Sequence, residues 1–129
     1  MAVGSDDKGF QLSREQVEVF AAGLYQLAAC DGIDTKEVDV IFGFLEENGA
    51  TDLMSSLPTL AEGFDPARAY RVLETTWLRT LFLRAGLLIV RSDGQVSESE
   101  RDMIAWMAMA FGVQGGFDAL VAQVEGQTL

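Results

Sequence analysis

Apolar residues return every three or four positions through most of the chain, and that spacing predicts helices. Val17, Phe20, Ala21, Leu24, Leu27 and Ala28 form the first stripe, an amphipathic helix over about 13–30. Ser13 and Gln16 fit a capping box at its start. Asp31-Gly32 ends it, because glycine takes the left-handed turn that closes a helix. Asp34 or Thr35 opens a second helix with the stripe Val38, Ile41, Phe42 and Leu45, which stops at Gly49. Short apolar groups around Pro58 predict one or two short helices within 53–62. Asp65-Pro66 pairs an N-cap with proline at the first helical position. The span 67–91 reads as helix, with Thr75 and Thr76 as its weakest point. Its second half, 77–90, is apolar nearly all round and is expected to be a central helix covered on most sides. Leu81, Phe82, Ala85, Leu88 and Ile89 should then be buried. Ser97 and Glu100 box the start of another helix, whose stripe is Met103, Ile104, Met107 and Phe111 and whose end is Gly112. After Gly115-Gly116, the residues Phe117, Leu120, Val121 and Val124 predict a last short helix. No stretch alternates apolar and polar residues long enough to argue for a strand. The expectation is an all-α, compact bundle of about six or seven helices spanning 13–129, preceded by a flexible polar tail, 1–12.

Two segments of this pattern resemble each other. The first runs Asp31-Gly32-Ile33-Asp34-Thr35-Lys36-Glu37, the second Asp93-Gly94-Gln95-Val96-Ser97-Glu98-Ser99-Glu100. Each follows an apolar helix and opens another, and each Glu has a glycine twelve residues on, Gly49 and Gly112. Two related helix-turn-helix hairpins follow, the first with a turn one residue shorter. Asp-Gly is also an ordinary helix end, and S-x-x-E an ordinary helix start, so the turns alone serve a structural purpose. The second copy imitates the back half of an EF-hand loop. The loop's first and third ligand places would fall on Ile89 and Arg91, which rules an EF-hand out.

The pattern A-x-D-G-x-[IV]-[ST]-x-x-E after a helix, repeated once in an all-helical chain of this length, resembles the tellurite-resistance TerB-like family over about 13–125. The departures are Ser92 in the place of the alanine before Asp93, Cys30 before Asp31, and the shortened first turn. The resemblance implies a bundle of about seven helices with an acidic surface for divalent cations. It also implies a role in bacterial stress response near membranes, with relatives fused to DnaJ-like co-chaperones. Carried onto this sequence, the ion-holding residues are Asp31, Glu37, Asp93 and Glu100. Hard carboxylate oxygens suit Ca2+ or Mg2+ rather than zinc. With few ligands the affinity should be weak, roughly 10⁻⁴–10⁻³ M.

Charge narrows the alternatives. Nine basic against 20 acidic residues give a net charge of −11, which disfavours nucleic-acid binding through a broad basic face. The chain has no histidine. That removes Ser-His-Asp and Cys-His catalysis, His-based zinc sites and the Glu-x-x-His di-iron arrangement. The one cysteine, Cys30, lies at a helix C-terminus beside Asp31. Both features disfavour its thiolate, so it is expected to be a core residue rather than a nucleophile. The N-terminus has no apolar run and reads as no signal peptide, and 77–90 is too short to cross a bilayer. A cytoplasmic, non-membrane-spanning protein is the expectation.

Against the acidic background, 66–91 carries Arg68, Arg71, Arg79, Arg84 and Arg91 and the single acid Glu74. The stretch is a candidate partner site for an anionic surface, unless its arginines pair with acidic helices around it. Met103, Met107 and Met109 with Trp106 could form an adaptable groove, although Met103 and Met107 also sit on the core stripe. The leading expectation is a non-catalytic interaction domain that binds protein partners, at the membrane surface by the resemblance, and divalent cations through the four carboxylates. The alternative is a metal-dependent hydrolase using the same carboxylates.

Overall fold

The computed structural model of the chain describes residues 12–30, 32, 35–91, 96–113 and 115–125. Among them are seven α-helices, one 3-10 helix and no strand. The helices are α1 (Arg14–Ala29), α2 (Thr35–Glu47), α3 (Leu57–Glu62), α4 (Pro66–Val72), α5 (Thr76–Val90), α6 (Glu98–Ala110) and α7 (Gly116–Glu125). The 3-10 helix, Thr51–Ser56, leads directly into α3, so the region around Pro58 resolves into two short pieces. The fold is the expected all-α bundle.

Local chemistry sets the starts. Ser13 accepts the Gln16 backbone N–H at 3.1 Å, while Gln16 Oε1 accepts the Ser13 N–H at 3.0 Å. Together they satisfy two of the amides that a helix start leaves without partners. Asp65 caps α4 by accepting the Ala67 N–H at 3.1 Å, with Pro66 at the first position. The expected 67–91 helix is interrupted. Leu73 leaves helical geometry (φ −85°, ψ 80°) with its side chain fully buried, and Thr75 starts α5 by accepting the Leu78 N–H at 3.1 Å. Burial of Leu73 and the Thr75 cap together outweigh helix continuity. Arg79 spans the break, donating to the Tyr70 carbonyl at 2.7 and 3.1 Å and lying 3.6 Å over the Tyr70 ring.

The most widely packed helix is α1. It packs against α2, α3, α4, α5 and α6, and its buried residues include Val19, Ala22 and Gly23 beside the expected stripe. Small side chains on several faces let neighbours approach from several sides. At Gly23 a Cβ would lie 2.5 Å from Phe82 and 2.8 Å from Phe64. The glycine therefore seats an aromatic cluster in which Phe82 meets Phe20 edge-on at 5.2 Å and Phe111 at 5.7 Å. Phe20 in turn stacks on Phe44 at 4.9 Å.

Helix α5 is buried along one half and half-buried over most of the other. Phe82 and Ile89 are buried as expected, Leu81 and Ala85 are half-buried, and Leu88 is 62% exposed. The described elements bury Leu78, Phe82, Leu83, Gly86, Leu87, Ile89 and Val90, and of the expected residues Leu88 is the one they leave exposed. Cys30 is half-buried rather than a core residue.

Candidate functional site

The repeat extends further in space than its motif. Glu37 and Glu100 each stand third in their helix, α2 and α6, and each helix has 13 residues. Four positions on, Ile41 and Ile104 are both fully buried; eight on, Leu45 and Ala108 are buried too. Twelve on, Gly49 (φ 66°) and Gly112 (φ 92°) take the left-handed conformation. There the two helices end in the same way. Ala50 N–H donates to the Leu45 carbonyl at 2.8 Å, and Val113 N–H donates to the Ala108 carbonyl at 2.9 Å. Gly49 N–H reaches the Glu46 carbonyl at 3.2 Å, as Gly112 N–H reaches Met109 at 3.0 Å. These paired bonds, with a buried apolar residue after the glycine, are Schellman ends. Helices α2 and α6 thus match from the first turn to the cap.

The two glutamates are the buried charged residues among the described ones, 2% exposed for Glu37 and 5% for Glu100. Burying a carboxylate without compensation is costly. At the third position of a helix, the free amides and the positive dipole end supply compensation. Glu100 shows how: its Oε1 accepts the Ser97 N–H at 2.9 Å while Ser97 Oγ accepts the Glu100 N–H at 3.1 Å. Asp31 and Asp93, the other two expected ion ligands, lie outside the described residues, as does the cap candidate Asp34. Among the described residues no three His, Cys, Asp or Glu side chains converge as a metal-holding group. One oxygen of Glu100, Oε1, is held in its capping box.

Two concavities lie near these helices. One, of about 310 Å³, sits between the ends of α1 and α3 and is walled by Tyr25, Cys30, Pro58 and Met103. The other, about 580 Å³ and open, is lined by Glu98, Arg101, Asp102, Phe117 and Asp118, with the Arg101 guanidinium 4.7 Å above the Phe117 ring. The methionine-tryptophan group divides: Met107 is fully buried and Met103 half-buried, whereas Trp106 and Met109 face solvent at 46% and 61% exposure.

Arginines of the basic stretch are engaged within the bundle, Arg79 by the Tyr70 carbonyl and ring. Arg68 pairs with Glu15 at 3.0 Å. What the sequence reading passed over is the outer face of α5. Trp77, Leu81, Arg84, Leu88 and Arg91 follow one another at intervals of four and three, so they share one side. Trp77, Leu88 and Arg91 are exposed, Leu81 and Arg84 half-buried. The interval was present in the sequence, but it was hidden by equally apolar neighbours on the buried side. None of the described helices is long and apolar enough to cross a membrane. No family model, curated protein or solved structure matches this chain.

Proposed function

We propose that the chain is a non-catalytic helical interaction domain of the TerB-like kind, serving bacterial stress response in the cytoplasm with protein partners at the membrane surface. In this reading its two acidic turns form a weak Ca2+ or Mg2+ surface through Asp31 with Glu37 and Asp93 with Glu100. The observation that supports it best is the duplicated helix behind each turn, with buried glutamate, buried isoleucine, left-handed glycine and Schellman end in register. A structural cap needs one acidic residue per helix start, whereas each copy places an Asp before the turn glycine as well. An Asp after the end of an apolar helix meets the negative end of that helix's dipole, and a cation would offset the repulsion.

Thermal unfolding with and without about 10 mM CaCl2, ten-fold or more above the expected dissociation constant, tests this. Sodium chloride at matched ionic strength is the control. The calcium sample should melt higher, with stabilisation approaching about 2.7 kcal/mol if calcium reaches one hundred times Kd. Asp31→Asn with Asp93→Asn should remove the rise and leave the helical circular dichroism unchanged. No rise in the wild type beyond the sodium control removes the cation surface and leaves the turns as caps.

A further inference from the structure

The smaller concavity, about 310 Å³, lies where two helices end. Its walls take in the last turns of α1 and α3, together with Met103 of α6. Neither last turn carries a basic residue of its own, although the carbonyl end of a helix favours a cation. Three polar side chains in the wall have an acceptor to spare. Gln26 gives its Nε2 to the Ala61 carbonyl at 3.3 Å, while its Oε1 is buried without a hydrogen-bond partner. Glu62 and the Tyr25 hydroxyl make no hydrogen bond or ion pair among the described residues. Most of the remaining wall is apolar, with Pro58 and Met103 facing the space, and none of the described residues that line it is basic.

We propose that this concavity binds a small organic ammonium ion with an apolar body. The proposal goes beyond the cation reading of the acidic turns and does not depend on it. Size sets the ligand class, because the space stands at the small end of the range of about 300–1,000 Å³ for ligand sites. Hydrogen bonding sets the head group. A buried acceptor without a donor is costly, and an ammonium brings three donors and no acceptor. Charge agrees. The Glu62 carboxylate, the two helix ends and a net charge of −11 all favour a cation over an anion. A neutral ligand would leave Glu62 unpaired. A bare Ca2+ would find one carboxylate where it takes six to eight oxygens. The half-buried Tyr25 ring and Met103 then receive the apolar body.

The test titrates the full chain with 2-phenylethylammonium chloride at constant ionic strength and follows amide NMR shifts. The probe has about nine non-hydrogen atoms and should bind at about 0.1–1 mM. Its shifts should centre on the Tyr25, Gln26 and Ala61 amides and on the Gln26 side-chain NH2. 2-Phenylethanol, the same body without the charge, should bind at least about ten-fold more weakly, and 3-phenylpropionate should not bind. Glu62→Gln, at an exposed position, should keep the fold and remove most of the preference for the amine. Gln26→Leu, its fold checked by circular dichroism, should weaken the amine by about ten-fold. If that variant does not fold, Glu62→Gln decides alone. Equal affinity for amine and alcohol, or no shift at about 10 mM amine, overturns the proposal. So does an amine preference that survives Glu62→Gln. The same shifts with ammonium chloride would overturn it in favour of general attraction to an acidic chain, and with CaCl2 in favour of a metal ion.

Discussion

Ser97 and Arg14 show two ways in which single side chains secure this bundle. Ser97→Ala removes the acceptor of the Glu100 N–H and should cost about 0.5–2 kcal/mol, read from urea unfolding. The partner bond from the Ser97 N–H to Glu100 would remain, so loss of the whole first turn is not expected. Arg14 holds Asp52 with both terminal guanidinium nitrogens, tying the start of α1 to the 3-10 helix. The hydrogen bond from Arg14 keeps the Asp52 carboxyl below its usual range. A depressed folded-state pKa means that the contribution to stability is present above the unfolded carboxyl value and is lost as pH falls through the folded one. The pair is exposed, so the effect is small. Wild type and Asp52→Asn should therefore differ in stability at neutral pH and converge in acid. A carboxyl NMR titration should find Asp52 still ionised where ordinary aspartates are half-protonated.

Among the elements, two glycines within helices give opposite expectations. In α1, Gly23→Ala drives a methyl group into the Phe82 and Phe64 rings and should cost about 1–3 kcal/mol, as overpacked cores do. In α2, Gly43 has nothing within 4 Å of a Cβ position, so Gly43→Ala should stabilise by about 0.5–1 kcal/mol through helix propensity alone. Calorimetric melts of the two variants should move in opposite directions. The same contrast explains what the sequence made legible. Caps at Ser13, Asp65 and Ser97, and the stops at Gly49 and Gly112, are set by bonds within a few residues, so pattern alone placed them. The choice of central helix is set by packing between distant segments. The apolar run of α5, broken by Arg79, Thr80 and Arg84, pointed to a well-covered helix, while the wider packing of α1 lay in the small size of Ala21, Ala22 and Gly23. At the candidate site the glutamates were readable because their spacing to Ile41, Ile104 and the glycines is local. The outer face of α5 was not, because periodicity cannot say which side of an apolar helix its neighbours leave bare.

At the scale of the molecule, cover and charge decide the outcome. Leu87 and Leu88 are chemically identical neighbours at 3% and 62% exposure. Leu87→Ala should cost about 2–5 kcal/mol, whereas Leu88→Ala should stay within about 0.5 kcal/mol of wild type. Equal losses in urea unfolding would mean that something within the chain covers the outer face of α5. A net charge of −11 also implies self-repulsion in the compact state. Melting temperature should therefore rise as sodium chloride is raised from about 10 mM to 150 mM, where the screening length shortens from roughly 30 to 8 Å. The contact that joins the first half of the bundle to the second has a different consequence, one for the history of the sequence. Because Gly23 leaves the space that the Phe82 ring fills, neither position is free to drift alone. Descendants of this chain should trade size between the two, a larger residue at 23 arriving with a smaller one at 82. A library randomised at both sites and sorted for folding should recover that exchange as a correlation between two positions 59 residues apart.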